Sequence, residues 1–142
     1  MSQAHDHEIV SIYPFSDEEV DQLMNHSSEC VLMWATQDGW PVGVTHAFVW
    51  KDGKIWITFA AHRHRAAAIR RDNRVSVNVS SAGYPRNRRD LPQGAVTFKG
   101  RAEFHDDEET KAERRRGWER SVTITVTIHD EKKRTRRRRR CA

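Results

Sequence analysis

The chain has 142 residues, 32% of them charged, with a formal net charge of +5. That length allows one domain with a real core, and no run approaches the ~18 apolar residues of a membrane span. The charge is lopsided: Lys132, Lys133, Arg134 and Arg136 to Arg140 carry eight positive charges, leaving 17 basic against 20 acidic residues in the body, a net of −3. The high pI therefore belongs to a tail and does not by itself argue for a nucleic-acid-binding domain. Met1 to His7 lacks the basic-then-apolar order of a secretory signal. Cys30 and Cys141 suggest no disulfide framework, which fits a reducing cytoplasm.

In chain order, Ser16-Asp17-Glu18-Glu19 reads as a capping box, with Val20, Leu23 and Met24 on one face of a helix at about 16–27. Residues 31–37 are apolar enough for a strand buried on both faces. Asp38-Gly39 signals a hairpin, and Pro41 marks the start or edge of the next strand. Residues 42–51 alternate, with Val42, Val44, His46, Phe48 and Trp50 on one side and Gly43, Thr45, Ala47 and Val49 on the other. Asp52-Gly53 closes a second hairpin into 54–60, where Ile55, Ile57 and Phe59 oppose Trp56 and Thr58.

A helix is predicted from about Arg63 to Asp72, its three alanines (66–68) allowing a close approach to a sheet or ligand. Residues 74–80 alternate again, and 81–93 is an aperiodic loop. A long strand covers 94–105, with Gly100 at a bulge or bend. Asp106 can cap a helix through about 107–117, and 121–129 alternates Val122, Ile124, Val126 and Ile128 against threonines. The pattern predicts a mainly β fold: a six-stranded antiparallel barrel, closed or nearly so, with short flanking helices. The division is an N-terminal segment 1–15, the barrel 16–131 and a basic, disordered tail 132–142.

Arg63, His64 and Arg65 open a helix, where backbone N–H groups and the helix dipole favour an anion. Two guanidiniums there can grip a phosphate; the alternative is a solvated basic turn. His62 and His64 lack further ligands at a recognised metal spacing. Cys30 has no neighbour that would lower its pKa, so it reads as a buried strand residue. Trp34, Trp50 and Trp56 are core or interface aromatics, with flavin stacking as the alternative.

Ala35-Thr36, Asp38-Gly39-x-Pro41, Asp52-Gly53, Ile55-Trp56-Ile57-Thr58, the basic residues before Ile69 to Val77, and Val96 to Glu103 occur in an order that resembles the pyridoxamine 5′-phosphate oxidase-like flavin-binding split barrels over about 30–105. The resemblance implies a homodimer with a flavin in each of two interface clefts. Val44, Thr45 and His46 would line the ring, while Thr58, Phe59, Arg63, His64 and Arg65 would surround the phosphate. In the oxidase itself the second strand carries an arginine and a lysine, where this chain has Val44 and Val49. Ala95 replaces a cofactor-binding glutamine, and the oxidase's substrate-binding C-terminal segment has no counterpart. The resemblance therefore points to the short relatives that bind FMN or the deazaflavin coenzyme F-420 and reduce small molecules. His46 is the one acid–base candidate. A non-catalytic flavin- or haem-binding protein is the second expectation, and weak nucleic-acid binding by the arginine tail the third. No membrane partner is expected.

Overall fold

A computed structural model describes residues 15–105 and 121–129. The expected N-terminal segment, the 107–117 helix and the basic tail fall outside the described residues.

Helix α1 spans Asp17–His26. Ser16 Oγ accepts from the Glu19 N–H (3.2 Å) and Glu19 Oε2 accepts from the Ser16 N–H (2.7 Å), so the capping box is formed in both directions. Among the described residues seven strands follow: β1 (Glu29–Ala35), β2 (Pro41–Ala47), β3 (Val49–Lys51), β4 (Lys54–Ala60), β5 (Arg74–Ser80), β6 (Ala95–His105) and β7 (Ser121–Ile128), with α2 (His64–Arg71) between β4 and β5. The fold is mainly β, as the alternation predicted. All pairings are antiparallel, in the order β2-β1-β5-β6-β7-β4-β3.

The predicted strand 42–51 is broken, which makes seven strands of an expected six. Phe48 is buried, and its N–H donates to Ser28 O (3.3 Å) instead of joining either ladder. On one side of it β2 pairs with β1; on the other, β3 pairs with β4. The two edge strands of the sheet are thus consecutive in the chain, one residue apart. The sheet curls until its edges meet at Phe48, and the barrel opens away from that corner. β3 covers only Lys54, Ile55 and Trp56 of β4, while β2 pairs only with β1. Between β2 and residues 57–60 of β4 there is no ladder, and this gap is the split.

Alternation decides what fills the interior. Leu32, Ile55, Ile57, Val77, Ile124 and Val126 are buried in one cluster, each contributing about 1.5–3 kcal/mol on burial. α1 packs Leu23 and Met24 at one end of the barrel, and Trp50 Nε1 donates to Asp21 Oδ1 (3.3 Å). α2 lies at the other end with Ala66 and Ile69 buried; Arg71 donates to Ala35 O at the end of β1 (2.8 Å).

The turns follow their residues. Asp52 and Gly53 both have positive φ (56° and 67°), the backbone that a two-residue hairpin needs. The first hairpin is wider than its Asp38-Gly39 signal suggests: Thr36 and Trp40 close it, with Thr36 N donating to Trp40 O (2.8 Å) and Trp40 N to Thr36 Oγ1 (2.9 Å). Gly100 is not at a bulge, because the β5–β6 register runs through it without interruption. A side chain there would instead meet β7: a Cβ would lie 2.5 Å from Thr127 O. Among the described residues no helix is long and apolar enough to cross a membrane.

Candidate functional site at the barrel split

Four elements converge on the split. β2 brings His46 and β4 brings Phe59, their ring centroids 5.7 Å apart. α2 brings Arg65, whose guanidinium donates to His46 Nε2. β1 brings Trp34, with the Arg65 guanidinium 5.6 Å from its ring centre and 5.9 Å from that of Phe59. The sequence folds this way because Phe59 continues the inward set Ile55 and Ile57, while His46 continues Val42 and Val44. The first turn of α2 then directs Arg65 back over both strands.

The Arg65–His46 contact fixes the imidazole. An arginine has no acceptor, so Nε2 must accept and the ring proton sits on Nδ1. Burial, then the charge of Arg65, lowers the His46 pKa below its ordinary value, so the ring is neutral near neutral pH. Arg65 itself is lowered, by burial first and by the neighbouring Arg63 second. Positive charge therefore accumulates without a carboxylate: none of the ion pairs among the described residues involves Arg63 or Arg65. The start of α2 adds to this, since Arg63 makes no side-chain capping bond and no acidic residue lies in the first turn. Its first N–H groups lack helical partners.

The other predicted site residues are distributed as follows. Val44 shares the His46 side of β2 and is 36% exposed, unusual for an inward position and a consequence of the split. Thr45 lies on the outer side, exposed. Thr58 also faces outward, and its hydroxyl bonds that of Thr123 (2.9 Å). Arg63 and His64 are exposed at the helix start. The split thus gathers His46, Phe59 and Arg65, with Val44 beside them, whereas Thr45 and Thr58 lie across the sheet. Trp34, expected as a core or interface aromatic with flavin stacking as the alternative, borders the split; its inward position two residues after Leu32 was the signal that sets it there.

Alternate backbone groups of β2 point away from β1 into the split. A flat heteroaromatic ligand could take hydrogen bonds from that edge while an attached phosphate meets Arg63, Arg65 and the α2 start. The residues therefore fit a phosphorylated flavin-type group. Cys30, the register partner of His46, adds no nucleophile, since burial pushes its thiol up to about 12. Among the described residues no group of three or more His, Cys, Asp or Glu side chains could hold a metal ion.

Comparison with known proteins agrees with this architecture. The chain is similar in structure to a conserved hypothetical protein from Mycobacterium tuberculosis (TM-score 0.68, 21% identity, 82% of each chain covered). It is also similar to a FAD-binding protein from Mesorhizobium loti (TM-score 0.61, 19% identity, covering 82% of this chain and 90% of that one). A third similar structure is an F420 reductase (TM-score 0.60, 16% identity, covering 78% and 93%). At these identities the likeness speaks for the fold alone. No curated protein matches the chain. The family model described as pyridoxamine 5′-phosphate oxidase matches residues 16–140, and the chain belongs to that family.

Proposed function

We propose that the protein is a flavin-dependent oxidoreductase that binds FMN or the deazaflavin F-420 at the barrel split and acts on a small molecule. The observation that carries this is the positive charge of Arg63 and Arg65, without a carboxylate partner among the described residues, at an uncapped helix start beside an open strand edge. Similarity to a FAD-binding protein and to an F420 reductase supports the same class of cofactor. When bound, the cofactor supplies hydride transfer at its ring, and the protein supplies position and electrostatics.

Arg65 and Arg63 neutralise and orient the phosphate. Val44, Thr45 and His46 present the β2 backbone edge to the ring. His46, neutral and carrying its proton on Nδ1, can donate from that nitrogen while Arg65 fixes the other. Phe59 and Trp34 supply apolar surface that keeps water from the inner side of the split. The full cleft would be completed by a second copy of the chain, as the family resemblance implies.

A second reading, a non-catalytic carrier of a flavin or haem, is favoured by one observation: Arg65 already occupies Nε2 of His46, the acid–base candidate at the split. Fluorescence titration with FMN and with F-420 tests the binding common to both readings. Saturable micromolar binding of either supports it, and no binding of either defeats it. Single-turnover reoxidation of the reduced complex by nitro, quinone and enone compounds then separates enzyme from carrier.

A further inference from the structure

A groove of about 520 Å³ lies away from the split, between the 36–40 hairpin and the outer faces of β1, β5 and β6. Its volume suits a ligand of one or two rings. Met33 and Pro41 form an apolar floor, and Arg74, Lys99, Arg101 and His129 stand along its walls. Four residues with basic side chains and no carboxylate line it.

These cations differ in what they have left to offer. Asp72 holds Arg74 by two oxygens (Nε to Oδ1 3.0 Å, Nη2 to Oδ2 2.7 Å), so that charge is compensated locally. Asp72 is the only carboxylate within ion-pair distance of a lining residue among the described residues. Arg101 donates from Nη1 to Asn73 Oδ1 (3.0 Å), a neutral partner that orients the guanidinium and leaves its charge intact. Lys99 makes no side-chain hydrogen bond or ion pair among the described residues, and His129 is tied only through its backbone N–H to Lys99 O (2.7 Å). The register sets Lys99 opposite Ser76 and Arg101 opposite Arg74 on the outer side. Two uncompensated cations two residues apart thus flank a concave apolar floor.

We infer that this groove is a second ligand site, for a small aromatic or aliphatic molecule bearing one carboxylate. Lys99 and Arg101 take the anion, and Met33 and Pro41 take the apolar body. The site stands apart from the cofactor reading: its lining faces outward, whereas His46, Phe59 and Arg65 face the split. Trp34 borders both.

Titration of the isotope-labelled full-length protein with 2-naphthoate, followed by backbone amide NMR, tests the inference. The neutral isostere 2-naphthamide serves as control. The expected result is saturable shifts centred on Met33, Ser76 and Lys99 for the acid and weaker binding of the amide. Lys99→Met should weaken the acid about fivefold, the scale of one partly exposed charge contact, and Lys99→Glu should weaken it more. Arg65→Met should leave binding unchanged. Equal binding of acid and amide would overturn the inference, as would absence of saturable shifts, which is also the result if a second copy of the chain covers the groove. A matching loss in Arg65→Met would assign the ligand to the split instead.

Discussion

Arg65 of α2 donates to Nε2 of His46 on β2, across the gap where β2 and residues 57–60 of β4 share no ladder. The contact has a pH consequence. The His46 pKa is lowered from 6.5 in the folded protein, chiefly by burial and further by Arg65. The unfolded chain therefore binds a proton more readily than the folded one between that lowered value and 6.5. The stabilising contribution is complete above about pH 6.5 and is lost as pH falls towards the folded value. Urea midpoints should drop between about pH 7.5 and about pH 5.5, and His46→Gln should flatten that dependence. An equally steep dependence in the variant would show that other groups dominate.

Gly100 is a packing requirement of the barrel. A Cβ there would lie 2.5 Å from Thr127 O and 2.7 Å from Val126 Cγ1. Backbone cannot yield as a flexible side chain can, so Gly100→Ala should cost about 1–3 kcal/mol in chemical denaturation. A change within about 0.5 kcal/mol would mean that β7 sits farther from β6 than described.

Cys30 is buried beside Leu32 in the core, and burial holds its thiol at about 12. In a Cys141→Ser background a thiol reagent at neutral pH should label native protein slowly and unfolded protein at once. Rapid labelling of the native protein would place the thiol in an accessible, electropositive setting.

Alternation carries most of what the sequence reveals. It separates Val42, His46 and Phe48 from Gly43, Thr45 and Ala47 correctly, and the Asp52-Gly53 turn and the Ser16–Glu19 capping box form as their residue types require. The same alternation already sets Thr58 and Phe59 on opposite faces, so the two cannot both contribute side chains to one side of the sheet. The corner at Phe48 is not legible, because inward periodicity continues unbroken while the backbone changes partner strand. Nor does local pattern say which of Arg63, His64 and Arg65 reaches inward. That depends on where α2 lies across the barrel end, a tertiary matter fixed by Ile69 and by Arg71 on Ala35 O. Gly100 shows a related ambiguity: a glycine in a strand signals a bulge or a close approach equally well, and only the position of β7 decides.

In the proposed function, Arg65 holds a cofactor phosphate at the split. Its most direct test is the affinity for FMN and F-420 in the wild type and in Arg65→Ala, measured side by side by equilibrium titration. Micromolar binding of at least one cofactor is expected, with a loss of about 1.5–3 kcal/mol on substitution, the scale of a hydrogen bond to a charged group. Cofactor affinity unchanged by the substitution would contradict it.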